Sequence, residues 1–556
     1  MSLIHSSEKK LVLLVFGFFL LINIASSGGH LDWWDGTEAF LVTESMALKH
    51  TAKLDPFVPS VKELNFNVSY TIHASFAGQK GNNSSSNSQN ITLEPVYIVR
   101  SLLLSAAAVP FYYAALFFSI SPVEMIGLLV NSLFISMTAV VLFCISTEIQ
   151  RSRKIAFVLS LIYCVCSFVW PYNTSFWAQP LQGLLLASST YFLLQIRHQS
   201  HSFLCSYTVS RRKRSGIFLT GLAGLFLGLS VFAHPTSLIF VPAFLVYSFF
   251  SAMRRQMRSF IIFLSILGIV LLFAGLINYA RFGSVIEFGY GYFSSISAHD
   301  GWRGLIGLIM SPGAGLIFYF PLSILLPLGA KYMLKENKAL FYLCIYIIVA
   351  NWIYTGTLSF GFEPMAWSGG VAWGPRYLVP VLPFMVIILG HIFTHVRKRH
   401  FLKSLLIGLC LAGFYINLSG ILVWFQYGLM FGWAVESLSI YPNSLDIMTW
   451  FPIYSPIVLH TKALMNDYVS TINPEQYVNT SWHWVTYGNA PCRYNLFVYC
   501  NLGEVPFLIT STILIVIALF ILNQIRILPF SRVKKFFKEY IILKRKEIGG
   551  VPSVVN

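Results

Sequence analysis

Long apolar runs organise this chain. They lie near residues 11–27, 96–118, 125–146, 155–170, 178–196, 216–233, 238–252, 259–278, 305–330, 339–357, 376–394, 403–425 and 506–528. A helix crossing a bilayer needs about 17 to 25 such residues, so thirteen candidate crossings follow. Basic clusters stand between several of them: Arg151, Arg153 and Lys154; Arg211, Arg212, Lys213 and Arg214; Arg254, Arg255 and Arg258; Arg397, Lys398, Arg399 and Lys403. A last basic stretch, 532–546, lies in the tail. The pattern predicts an all-α polytopic membrane protein with about 12 to 13 transmembrane helices, because only closed hydrogen bonding satisfies a backbone in lipid.

The basic clusters decide between topologies. If all thirteen runs cross from a cytoplasmic Lys9 and Lys10, every later basic cluster lands outside, against the tendency of Lys and Arg to stay in cytoplasmic loops. Laying 96–118 in the interface, or letting it dip in and return, as its Arg100 and Pro110 suggest, removes the conflict. Twelve spans remain and both termini are cytoplasmic. Of the 38 basic residues, 28 then fall inside, while 16 of the 21 acidic residues fall outside. Sequons at Asn67, Asn82, Asn83, Asn90, Asn173 and Asn479 lie on the outer side, and the one at Asn417 lies within a span. The first outer loop runs over 28–122 and is expected to carry interfacial helices; a second covers 426–505. Three regions follow: a transmembrane module over 1–425, a small extracytoplasmic region over 426–505, and a last helix with its basic tail over 506–556. Lys9, Lys10 and the Ala25-Ser26-Ser27-Gly28 stretch also fit a signal peptide; retention of this segment as the first span is the preferred reading.

Composition agrees. The chain has 556 residues, 56% of them apolar and 11% charged, against about 25% charged in soluble domains. Its net charge of +17 marks orientation, and no nucleic-acid partner is expected. Among eight cysteines, Cys492 and Cys500 share the last outer loop and are expected to form a disulfide. Walker, H-E-x-x-H, paired CxxC and G-x-S-x-G motifs are absent, which leaves nucleotide and zinc chemistry without support.

Two stretches can carry chemistry. In Leu31-Asp32-Trp33-Trp34-Asp35-Gly36-Thr37-Glu38, followed by Glu44, carboxylates sit beside a hydrocarbon face. A short helix is expected from near Asp35, which could cap it. Partly desolvated carboxylates there also suit general-base work. In Trp373-Gly374-Pro375-Arg376-Tyr377 an arginine opens an apolar span. It either snorkels to head groups or grips a phosphate, and Glu363 is a nearby candidate partner. Weaker signals are His234-Pro235-Thr236, Arg281-Phe282-Gly283 and the span break Ser311-Pro312-Gly313-Ala314-Gly315.

Taken in order, four passages resemble the GT-C membrane glycosyltransferases, the group of the protein O-mannosyltransferases and aminoarabinose transferases, in an uncharacterised archaeal or bacterial branch. They are Asp35-Gly36-Thr37-Glu38 with Val42-Thr43-Glu44-Ser45 and Lys53-Leu54-Asp55; Ser101-Leu102-Leu103 with Val109-Pro110-Phe111-Tyr112-Tyr113; Ser311 to Leu316 with Phe320-Pro321-Leu322; and Trp373 to Tyr377 with Pro380 and Pro383. The resemblance implies an inverting transfer of a sugar from a polyprenyl-phosphate donor to an acceptor glycan, lipid or protein. It places the reaction on the outer or lumenal face of the plasma membrane or endoplasmic reticulum. Asp35 or Glu38 would be the base. Glu44, Arg100, His234, Trp373, Arg376 and Tyr377 would bind substrate, with Arg376, and Arg100 beside it, offsetting the leaving phosphate. Members differ in divalent-ion use, so a cation is left open. A transporter or flippase for a lipid-linked glycan, needing no base, is the alternative reading.

Overall fold

The computed structural model describes residues 6–55, 58–60, 97, 101–201, 209–253, 257–288, 301–358, 366–370, 372–396, 399–423, 444–465 and 486–487, with scattered residues from 512 to 523. Arg100, Glu363, Cys492, Cys500 and the sequons at Asn67, Asn82, Asn83, Asn90 and Asn479 lie outside this set.

The described chain is helical apart from one small strand pair. The helices are α1 (Ser6–Ala25), α2 (Trp33–Lys49), α3 (Leu102–Phe118), α4 (Pro122–Gln150), α5 (Arg153–Val165), α6 (Ala178–His201), α7 (Val209–Ala233), α8 (Val241–Met253), α9 (Met257–Phe282), α10 (Gly301–Met310), α11 (Leu326–Glu336), α12 (Lys338–Gly356), α13 (Leu382–His395), α14 (His400–Leu422), α15 (Ser444–Trp450) and α16 (Pro456–Met465). Strands β1 (Leu31–Asp32) and β2 (Thr486–Tyr487) pair antiparallel, Leu31 with Tyr487 and Asp32 with Thr486. The sequence did not announce this pair. It ties the last loop to the start of α2.

Local chemistry sets several helix ends. Ser101 and Ser152 cap α3 and α5 by accepting from the backbone N–H of Leu104 (3.3 Å) and Ile155 (3.4 Å). Asn337 does the same for α12, accepting from Leu340 N. Pro122 opens α4, where a missing N–H costs nothing. The expected run 305–330 is divided, as Ser311 to Gly315 suggested: α10 stops at Met310, a single turn forms at Leu316–Tyr319, and a 3-10 turn over Pro321–Leu325 leads into α11.

Among the described residues, six helical segments are long and apolar enough to cross a membrane: Pro122–Gln150, Gly216–Ala233, Met257–Phe282, Lys338–Gly356, Arg376–His395 and His400–Leu422. The protein is therefore an integral membrane protein of helical type. Helix α3 is a shorter apolar helix of 17 residues.

Two apolar cores hold the described bundle. The larger gathers α1 and α4 through α14 around residues such as Phe19, Phe157, Phe168, Phe244 and Phe384. The smaller joins α2 and α3 to α4 and α6 through Leu31, Phe40, Tyr112, Ile126, Phe176 and Leu181. This second core makes the start of the first loop a packed part of the bundle. Asn173 is fully buried, and its Nδ2 donates to Asn23 O (2.8 Å) and Ser26 Oγ (2.9 Å). An amide so committed cannot carry a glycan, so this sequon says nothing about orientation. Asn417, also fully buried, is likewise excluded.

Candidate active site

The first half of the site is built on α2. Asp35 lies within its first turn rather than ahead of it as a cap. The amides exposed at a helix start favour a carboxylate there. Gly36 brings this turn against a neighbouring loop: a Cβ at Gly36 would lie 3.5 Å from the backbone carbonyl oxygen of Phe176. Glu38, one turn on, is 2% exposed. Glu44 is buried two turns further along and has a set of neutral partners. Ser60 Oγ (3.0 Å) and Tyr112 Oη (3.1 Å) donate to its Oε1, and Ser60 N (3.2 Å) donates to Oε2. Glu44 thus joins α2 to residues 58–60 and to α3.

The second half is the Trp373 to Tyr377 stretch. Gly374 has φ +71°, and a Cβ there would fall 2.7 Å from the Tyr319 ring; glycine meets both demands. Pro375 then leads into a 3-10 helix, Arg376–Val381, that runs directly into α13. Trp373 anchors the turn. Its Nε1 donates to Asn417 Oδ1 (3.2 Å), and its ring meets Tyr319 edge-on at 5.3 Å. Asn417 Nδ2 donates to Tyr319 O (3.1 Å), and Tyr319 Oη donates to Gly313 O (2.8 Å). The Ser311 to Gly315 break therefore helps to position this turn. Tyr377 is held through its carbonyl, which accepts from Asn351 Nδ2 (2.9 Å).

These halves meet. Arg376 Nη2 donates to Asp35 Oδ2, joining residues 341 positions apart. The side chains are 10% and 20% exposed, respectively. A charge pair this dry interacts strongly but has given up hydration, so it needs further hydrogen bonds to be well satisfied. Arg376 lacks one of them: its Nε is buried without a hydrogen-bond partner. Its Cζ lies over the Trp177 ring, 4.0 Å from the centroid, and over the Tyr377 ring at 5.7 Å. Trp177 contacts Tyr172 edge-on at 5.2 Å, and Tyr172 Oη donates to Trp373 O (3.2 Å). Burial pushes the Tyr172 phenol well above its ordinary range, with the Arg376 charge pulling the other way. It stays protonated and remains a donor. A cleft lined by Pro171, Tyr172, Ser175, Trp177, Trp373 and Gly420 opens beside this cluster.

Of the residues singled out from sequence, Asp35, Arg376, Trp373 and Tyr377 thus come together, and Glu38 shares α2 with Asp35. His234 is engaged at the 3-10 helix Pro235–Phe240, where its Nδ1 accepts from Thr236 N (3.4 Å) and lies 2.8 Å from Thr236 Oγ1. Arg100 and the cysteine pair fall outside the described residues. Sequence reasoning missed Trp177, Tyr172 and Asn417. For Asn417 a signal existed, since a polar amide within an apolar run needs a buried partner. No group of three or more His, Cys, Asp or Glu side chains among the described residues is placed to hold a metal ion.

No protein-family model matches the chain, and no curated protein matches it. Among solved structures it is similar to ArnT from Cupriavidus metallidurans bound to undecaprenyl phosphate, with 12% identity over 91% of this chain and 88% of that one and a TM-score of 0.43. It is also similar to the archaeal oligosaccharyltransferase AglB from Archaeoglobus fulgidus in complex with an inhibitory peptide and a dolichol-phosphate, with 11% identity over 80% of this chain and 59% of that one and a TM-score of 0.43. Both are GT-C membrane glycosyltransferases, the group that the four sequence passages resemble.

Proposed function

We propose that the protein is a membrane glycosyltransferase that moves a sugar from a polyprenyl-phosphate donor to an acceptor hydroxyl, with inversion, on the outer or lumenal side. The observation that carries this reading is the partly buried contact between Asp35 and Arg376, a carboxylate and a guanidinium set side by side by distant parts of the chain. In the reaction the donor phosphate takes the Arg376 guanidinium, using the buried Nε and the edge now given to Asp35. The released Asp35 carboxylate accepts the proton of the acceptor hydroxyl. The acceptor oxygen bonds to the anomeric carbon from the face opposite the phosphate, and the carbon–oxygen bond to phosphate breaks with its electron pair going to the phosphate oxygen. That oxygen is stable as an anion, so no general acid is required; Arg376 offsets its charge in a water-poor setting. Glu38 is the second candidate base. Apolar surface beside the spans takes the lipid chain.

The test is release of polyprenyl phosphate by the full chain in detergent, supplied with polyprenyl-phosphate-linked hexoses and pentoses and a membrane lipid extract as acceptor pool. Release by the wild type and its loss in folded Asp35→Asn support the reading. Release undiminished in that variant overturns the base assignment. Transbilayer movement of the donor without any release would instead support the transporter alternative.

A further inference from the structure

The contact geometry around Arg376 assigns a role to a residue outside both sequence motifs. A guanidinium offers its flat face to aromatic rings and its edges to hydrogen-bond acceptors, so both kinds of contact can coexist. In this structure Arg376 Cζ sits over the Trp177 ring, 4.0 Å from its centroid, and Asp35 takes the Nη2 edge. The two contacts differ in permanence once a donor phosphate arrives, because phosphate competes with Asp35 for the edge and does not compete with Trp177. Trp177 is also firmly placed. Its ring is 2% exposed and braced by Tyr172. The loop before it is pinned by Asn131 Nδ2, which donates to Tyr172 O (3.2 Å) and Ser175 O (2.5 Å). The preceding residue, Phe176, lies against Gly36 at the start of α2. One loop therefore supports Arg376 through its side chain and abuts the Asp35 helix through its backbone.

We propose that Trp177 is a positioning residue: its ring keeps the Arg376 guanidinium in place while that guanidinium exchanges Asp35 for the phosphate of a lipid carrier. This rests on the glycosyltransferase reading above. The test measures binding of a long-chain polyprenyl phosphate and of the matching uncharged polyprenol to the full-length protein in detergent. For Trp177→Leu, phosphate affinity is expected to fall about ten-fold, the scale of a desolvated cation–π contact, with polyprenol affinity unchanged. Trp177→Phe keeps a weaker ring face and is expected to lose about three-fold, again for the phosphate only; it also supplies the answer if the leucine variant does not fold. Equal losses for phosphate and alcohol would mean groove damage and overturn the proposal, as would no loss in either variant. If the wild type binds the phosphate no better than the alcohol, the lipid-phosphate reading itself fails, which is a different result.

Discussion

Two carboxylates on α2 came from the same acidic stretch of sequence and meet opposite surroundings. Glu44 is 3% exposed and is bonded to neutral donors from two neighbouring segments, Ser60 and Tyr112. Asp35, at the start of the helix, is 20% exposed on its side chain and faces a cation from a distant turn, which itself keeps a buried N–H without a partner. The lesson concerns completeness. Donors set into the fold hold Glu44 in place from two sides. The Asp35–Arg376 contact leaves the Arg376 Nε without a partner, and an incoming phosphate satisfies Arg376 better than Asp35 does, because it can meet two edges of the fork.

The largest test of this contrast is Asp35→Asn. Turnover is expected to fall about 10³-fold, within the range for a lost general base, while affinity for polyprenyl phosphate rises about ten-fold because the competing anion is gone. Arg376→Gln is next: turnover falls about 10²-fold or more, and polyprenyl phosphate affinity falls with it. If both variants weakened phosphate binding alike, the two residues would not be competing. Glu44→Gln sharpens the other side. Its new NH₂ confronts donors, so the fold is expected to lose about 2 kcal/mol, read as a lower melting temperature in detergent, with turnover per folded molecule within about two-fold of wild type. Tyr112→Phe removes a single bond to Glu44 and is expected to cost about 1 kcal/mol. A large loss of turnover per folded molecule in either variant would place Glu44 in the reaction.

The apolar runs foretold the helices well, because a span of lipid-facing backbone has few other solutions. The break at Ser311 to Gly315 was legible for the same reason. Asp35 and Arg376 could be picked out because charges at the mouth of apolar segments are expensive, and each therefore invites a partner. Trp177 could not. Aromatic residues crowd membrane interfaces, and nothing local marks the one that will stack on an arginine almost two hundred positions away. Glu44 looked like Asp35 in sequence because residue type and helical spacing are shared; only Ser60 and Tyr112, brought in by the smaller core, distinguish them. The β1–β2 pair was invisible since two-residue strands carry no periodicity.

Exchange of partners at Arg376 is the central step. A structure of the full chain with a bound polyprenyl phosphate tests it most directly. The account predicts phosphate oxygens on Arg376 Nε and Nη2, Asp35 displaced from the guanidinium, and the Trp177 ring still on its face. A phosphate bound elsewhere, with the Asp35–Arg376 contact intact, would contradict it.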